Sequence, residues 1–185
     1  DAALLLSPDF DVVHYWLLGE GAPTNVDPEP PSWNITHGFT MLKDGSVIHV
    51  FRYGTGLNRT DKCGRTIWSI AGNYSHSVVR DGADAIWTIR HDPGDDIAET
   101  TRIVRIAIDD GRILHDFSVA DIISANPHID ILELRRPHED VAEGNNPGLP
   151  GQWPTDPMHL NHIDPLSRDL ARSFPQFAPG ESRPS

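Results

Sequence analysis

Short apolar runs separated by glycine- and proline-containing turns dominate this chain, and helical periodicity is rare. Runs rich in Val, Ile, Thr and aromatic residues are typical of β-strands joined by hairpins. The pattern predicts strands over Val12–Leu17, Phe39–Leu42, Ser46–Tyr53, Thr66–Ile70, Ser77–Arg80, Ala85–Arg90, Thr101–Ile108 and Ile113–Ser118. Asp44-Gly45 and Asp110-Gly111 lie between such runs as tight turns, because glycine tolerates positive φ. The sequence therefore predicts an all-β fold.

Two kinds of segment recur along the chain. A histidine, an apolar strand, an acidic turn and a second apolar strand occur at 37–48 and again at 76–87. A unit led by aspartate occurs at 61–68 and at 109–117, with a weaker copy at 9–16. Repeats of roughly 40–50 residues with about four strands each are typical of propeller blades. The recurrence predicts a β-propeller, and the alternative is a β-sandwich whose hairpins resemble one another.

Two stretches depart from this alternation of strands and turns. Residues 121–134 are compatible with a short helix interrupted at Pro127, and Ser167–Ser173 has an N-cap followed by one or two helical turns. Between them, 135–157 is rich in Pro, Gly and Asn, which is typical of a long surface loop. We therefore expect one partial propeller domain over 1–185, with short helical insertions and a helical and loop insertion over 121–157.

Composition narrows the possible partners. The chain has 185 residues and a net charge of −12 with histidine counted as neutral. This charge repels polyanions over much of the surface, so nucleic-acid binding is not expected. No apolar run approaches the roughly 20 residues that a membrane-spanning helix needs, so no span is expected. Cys63 is the single cysteine, which excludes an internal disulfide and a cysteine-based metal site.

The ten histidines are many for this length. His37, His76 and His159 each precede an apolar run. If these positions begin the innermost strands of a propeller, the imidazoles converge on the mouth of its channel and suit an anionic group. The alternative is that each histidine caps its own strand or bonds a loop carbonyl. Zinc is not expected, because the spacing fits no local ligand motif. The histidines interpreted as structural or surface residues are His14, His49, His115 and His138.

Several motifs resemble the arylsulfotransferase family of β-propellers. They are W-N-I-T-H-G-F-T-M-L-K-D-G-S-V-I (33–48), T-D-K-C-G-R-T-I-W (60–68), S-H-S-V-V-R-D (75–81), D-P-M-H-L-N-H-I-D-P-L (156–166) and F-P-Q-F-A-P-G (174–180). The last two form the most specific element, a His-x-Asn followed by Asp-Pro-Leu, a short helix and Phe-Pro-x-Phe. The resemblance implies a six-bladed propeller that moves a sulfuryl group from a phenolic sulfate ester to another phenol. It implies a transiently sulfated histidine and no nucleotide donor or other cofactor.

The resemblance also implies site residues. His76, His159 and Asn161 are the expected catalytic residues, and His159 and Asn161 match the His-x-Asn that contacts the sulfuryl oxygens. His37 matches a His-Gly element and is expected to bind substrate in the axial funnel. A sulfuryl group in transfer carries charge on three oxygens, as a phosphoryl group does, so positioned donors dominate its catalysis. The implied partners are small phenols and aryl sulfates, and the implied location is periplasmic or extracellular.

The chain departs from the family pattern in places. Ser75 stands where many relatives have a second histidine, and His162 where an aspartate is common. At about 40–45 residues a blade, 185 residues make roughly four blades of six. The functional arginine and nucleophilic histidine of the family would lie beyond Ser185, so we expect an incomplete sulfotransferase. The alternatives are a non-catalytic binding or scaffold propeller, and a propeller hydrolase or lyase in which water replaces the acceptor.

Overall fold

The structure, a computed structural model, describes residues 2–18, 36–51, 56–94, 97–127 and 160–174. Within these ranges the strands are β1 (Ala2–Leu6), β2 (Val12–Leu17), β3 (Thr36–Met41), β4 (Val47–Phe51), β5 (Leu57–Thr60), β6 (Thr66–Ile70), β7 (Asn73–Asp81), β8 (Ala85–His91), β9 (Thr101–Ala107) and β10 (Ile113–Ser118). The helices are α1 (Ile97–Thr100), α2 (Val119–Ala125) and α3 (Arg168–Ser173). The predicted all-β class is confirmed.

Strands that follow one another in sequence are neighbours in each sheet. β1 and β2 form a two-stranded ribbon, β3 to β6 form the first four-stranded sheet, and β7 to β10 form the second. All pairings are antiparallel. The predicted turns occur between strands, with Gly45 at φ 81° and Gly111 at φ 75°. The described strands do not close into a ring, so the propeller stays a prediction.

The ribbon and the two sheets pack face to face because β4 is apolar on both sides. Val50 belongs to a buried cluster with Val104 of β9 in the second sheet. On the opposite face, Val47 and Phe51 pack against Trp16 of the ribbon. All five residues of β4 are buried. Alternate side chains of a strand point to opposite faces, so β4 contributes to both cores of a three-layer stack.

Arg59 of β5 is a polar side chain within this packing, and it is only 9% exposed. Its Nη1 donates to the carbonyl oxygen of Ile108 at 2.9 Å, and Trp68 Nε1 donates to the same oxygen at 2.8 Å. Arg59 also donates from Nη2 to Asp44 Oδ2 at 2.7 Å and from Nε to Ser46 Oγ at 3.1 Å. Buried polar groups need such partners. The two sheets are therefore joined by hydrogen bonds as well as by apolar packing.

The helices follow local capping rules. α2 begins with a capping box, in which Ser118 Oγ accepts from Asp121 N at 3.0 Å and Asp121 Oδ2 accepts from Ser118 N at 2.7 Å. It ends before Pro127, whose ring disfavours helical backbone at the preceding residue. α3 begins after Ser167, as predicted, and Ser167 Oγ accepts from Leu170 N at 3.1 Å.

The remainder of the predicted insertion, over 128–157, lies outside the described residues. Among the helices that the structure describes, none is long and apolar enough to cross a membrane.

Candidate functional site

His37 lies near the start of β3, at a bulge. The register of β3 against β4 shifts between Thr36 and Gly38, so His37 is the extra residue of the bulged strand. A bulge bends its strand and redirects a side chain, and bulges are common beside active sites. The ring of His37 meets the ring of His76 in β7, with 3.8 Å between centroids and 43° between planes.

His76 also lies at an irregular point of its strand. The register of β7 against β8 shifts between Ser75 and Val78. The backbone of His76 is left-handed, with φ 54°. Residues other than glycine rarely adopt this conformation, and it costs on the order of 1–3 kcal/mol. Two of the three histidines that the sequence singles out are thus brought together, and each lies at a bulge.

Gly38 explains how β3 and β7 come so close. A Cβ atom at this position would lie 2.1 Å from the carbonyl oxygen of His76 and 2.9 Å from its carbonyl carbon. Only glycine allows two backbones to approach in this way. The His-Gly dipeptide therefore has two functions, because His37 supplies the ring and Gly38 admits the neighbouring strand.

A third imidazole contacts β7 beside the pair. Ser75 Oγ and His91 Nε2 are 2.8 Å apart, which is a hydrogen bond. Ser75 is 7% exposed, and His91 lies at the end of β8 opposite Asn73. This bond ties β7 to β8 at the residue before His76. Sequence reasoning missed His91, because it ends a strand and does not occupy the recurring position at which the other histidines were recognised.

The segment that carries the His-x-Asn motif also reaches β7. Ile163 N donates to Ser77 Oγ at 3.2 Å, across 86 residues of sequence. Asn161 lies two residues before this contact and is exposed. His159 lies outside the described residues, so its position relative to His76 stays a prediction. The structure therefore brings His37 and His76 into contact, and it brings the segment of Asn161 to the residue after His76.

The arginines of β8 and β9 are committed to carboxylates. Arg90 Nε lies 2.7 Å from Asp92 Oδ1, and Arg90 Nη2 lies 3.0 Å from Asp116 Oδ2. Arg102 pairs with the same two carboxylates. The hydrogen bond from Arg90 holds the pKa of Asp92 below its usual value. The two positive and two negative charges cancel, so this cluster offers little net charge to an anion.

His49 shows the contrasting case of a histidine in the core. It is 2% exposed, and its Nε2 lies 3.2 Å from Thr60 Oγ1. Burial lowers the pKa of His49 to about 4. The ring is therefore neutral at neutral pH, and it fits the structural role that the sequence indicates for this residue.

Comparison of the chain with protein-family models, with curated proteins and with solved structures finds no match in any of the three. The evidence for a function at the candidate site therefore consists of its geometry and of the sequence motifs. In the part of the chain that the structure describes, no group of three or more His, Cys, Asp or Glu side chains is arranged to hold a metal ion.

Proposed function

We propose that this chain is part of an arylsulfotransferase-like β-propeller, which transfers a sulfuryl group between phenolic sulfate esters and phenols. The observation that carries the proposal is the contact of His37 with His76, whose ring centroids are 3.8 Å apart. Two adjacent imidazoles can donate to two oxygens of one sulfuryl group. In this proposal His76, His159 and Asn161 are catalytic, and His37 binds the substrate.

The arrangement of strands supports the propeller part of the proposal. The histidine-led units of the sequence lie on the β3–β4 and β7–β8 hairpins, and the aspartate-led units lie on the β5–β6 and β9–β10 hairpins. Each unit thus occupies the same place in its sheet. A propeller blade is a four-stranded sheet whose strands follow one another in sequence, and successive blades pack face to face. His37 and His76 then occupy the first strands of two successive blades.

The closeness of the rings indicates how they would share protons. Two unit charges 4 Å apart repel by roughly 4 kcal/mol at an effective dielectric constant of 20. The proposal therefore gives the two rings different roles, one as the proton donor and the other as the proton acceptor. A protonated ring can donate its proton to the departing phenolate as the sulfur–oxygen bond of the donor ester breaks. A neutral ring can accept the proton of the acceptor phenol as its oxygen attacks the sulfuryl sulfur.

The test is an assay of the full-length protein that contains this chain, with p-nitrophenyl sulfate and an added phenol. We expect phenol-dependent release of p-nitrophenol, lowered about a hundredfold in His76→Gln or His37→Gln, the usual contribution of a positioned acid or base. The double variant should lose little more than the worse single variant, because the rings act as a unit. His115→Gln, which changes an exposed histidine of β10, is the matched control. Release that is unchanged in both single variants contradicts the proposal.

A non-catalytic binding module is the second candidate, and the cancelled charges of Arg90 and Arg102 favour it. A sulfuryl group in transfer requires positive charge, and these arginines are neutralised by their carboxylates. Binding of p-nitrophenyl sulfate without release of p-nitrophenol would support this candidate. Release that does not depend on the added phenol would instead indicate a hydrolase.

A further inference from the structure

A separate pocket lies at the other end of β3 and β7, where the turns of the two sheets meet. It has a volume of about 270 Å³, and its lining includes Leu42, Lys43, Arg59, Arg80, Ala83 and Ile108. These residues belong to the β3–β4 and β7–β8 turns, to β5 and β7, and to the residue that follows β9. We infer that this turn pocket binds a small organic anion, whose oxyanion head contacts Arg80 and Lys43.

Arg80 provides the main argument, because its guanidinium is not fully used by the protein. Its Nε is buried and has no hydrogen-bond partner among the described residues. Its Nη2 reaches the carbonyl oxygen of Gly82 only at 3.4 Å, which is a long hydrogen bond. A buried donor without an acceptor is destabilising, because the group has lost its hydrogen bonds to water. An oxyanion in the pocket supplies an acceptor for Nη2 at the end of this guanidinium and replaces its long bond to Gly82.

The other cations of the lining have different functions. Arg59 is committed to Asp44, Ser46 and the carbonyl oxygen of Ile108, so it forms the wall rather than contacting a ligand. Ile108 is fixed in turn, because its N–H donates to the carbonyl oxygen of Asp84 at 2.8 Å. These hydrogen bonds preorganise the wall of the pocket, which lowers the entropy cost of binding a ligand. Lys43 is exposed and adds a positive charge to the lining.

Charge and shape define the class of ligand. The lining contains three cations, Lys43, Arg59 and Arg80, against the carboxylates Asp44 and Asp109. The pocket is thus locally positive on a chain whose net charge is −12. Guanidinium groups match the planar oxygen pairs of carboxylates and the oxygens of sulfates and phosphates.

The apolar part of the pocket limits the size of the ligand. Leu42, Ala83 and Ile108 provide an apolar surface beside the cations. A volume of about 270 Å³ lies just below the usual range for drug-sized ligands, roughly 300–1,000 Å³. The expected ligand is therefore a small aromatic or aliphatic acid, with one oxyanion head on a short apolar body.

The test uses benzoate as the probe and the full chain labelled with ¹⁵N. We expect saturable shifts of the backbone amides of Lys43, Arg80 and Ala83, with affinity lowered about tenfold in Arg80→Gln, the effect of one charge-assisted hydrogen bond. Arg112→Gln is the matched control, because the side chain of Arg112 is 68% exposed and lies outside the pocket. His76→Gln should leave these shifts unchanged, which separates this inference from the proposed function.

If Arg80→Gln unfolds, two further measurements still test the inference. Lys43→Gln changes an exposed residue, so it should fold normally and weaken benzoate binding about twofold to threefold, as expected for a solvent-exposed charge. Benzamide, which has the same ring without the charge, should not bind. Benzamide that binds as well as benzoate, benzoate shifts confined to the surroundings of His37 and His76, or unchanged affinity in both variants would overturn the inference.

Discussion

The two ends of β3 and β7 are built by different kinds of interaction. At the turn end, defined as residues 42–46 and 80–84, glycine turns reverse the strands and Arg59 joins Asp44 to Ile108. At the bulge end, defined as residues 36–38 and 75–77, both strands lose their register and the backbones nearly touch. Local turn residues produce a regular end. A site that requires two strands in contact needs irregular backbone, which the packing of both sheets holds in place.

The bulge end contains strain that its neighbours compensate. His76 has a left-handed backbone, while Tyr74 and Val78 on either side of it are buried in the core shared by the two sheets. Strained backbone persists only where the surrounding structure over-determines it, and it concentrates at functional sites. The comparison therefore predicts that substitutions at the bulge end act through backbone fit, whereas those at the turn end act through side-chain hydrogen bonds.

The largest effect is expected for Gly38→Ala. The added methyl group would meet the carbonyl oxygen of His76 at 2.1 Å, so the strands must separate. We expect a loss of about 3 kcal/mol in the free energy of unfolding, at the upper end for overpacking. Chemical denaturation measures it. Gly64→Ala is the control, because Gly64 has φ +83° but nothing near its Cβ position, and it should cost only about 1 kcal/mol. Equal losses in both variants would contradict the close approach of β3 and β7.

The next effect is expected at the turn end. Arg59→Met keeps the apolar stem but removes the donors to Asp44, Ser46 and Ile108. We expect a loss of about 2 kcal/mol, because the hydrogen bonds of a largely buried guanidinium, one of them to a carboxylate, are lost. Arg112→Met is the control, since its guanidinium is exposed and lies 3.7 Å from Asp110, and it should change stability by less than about 0.5 kcal/mol. If the two variants unfold alike, the hydrogen bonds of Arg59 do not hold the sheets together.

A pH-dependent effect, which is smaller within any one pH unit, tests β4, which connects the two ends. Burial lowers the pKa of His49 from the usual 6.5 to about 4. Between pH 6.5 and 4 the imidazole is therefore protonated in the unfolded chain and neutral in the folded chain. The contribution of His49 to the free energy of unfolding is complete above pH 6.5 and decreases as the pH falls towards 4. The expected slope is about 1.4 kcal/mol per pH unit within this window.

Denaturation of the wild type and His49→Gln at several pH values measures this slope. It should disappear in His49→Gln, while the control His115→Gln should retain it. A slope of equal size in the His49 variant would show that another group produces the pH dependence.

Strands that coincide with an apolar run between turns could be predicted from the sequence. β6 (Thr66–Ile70) and β10 (Ile113–Ser118) have the predicted bounds. A glycine-containing turn precedes each of them, and both signals are local in the sequence. β5 (Leu57–Thr60) was missed, and its residues explain why. Asn58 and Arg59 are buried through hydrogen bonds to Ser69 and Asp44, which lie on other parts of the sheet. A buried polar strand has no hydrophobic signature of its own.

The candidate site could be predicted only in part. Recurrence in the sequence singled out His37 and His76, and their rings are in contact. The bulges could not be predicted, because they lie where β3 approaches β7, a strand distant in sequence. The bond from Ser75 to His91 was missed because His91 lies outside the recurring position. The arylsulfotransferase activity and the complete propeller stay proposals.

The smallest expected effect tests the central claim most directly, which is that the bulge end holds His76 in a strained left-handed backbone. The measurement is the free energy of unfolding of His76→Gly against that of His76→Ala, since both variants lose the imidazole and differ only in one methyl group. At φ 54° glycine should be the more stable variant by about 1 kcal/mol. An alanine variant that is equally or more stable would show that the backbone of His76 is unstrained, and would contradict the account of this site.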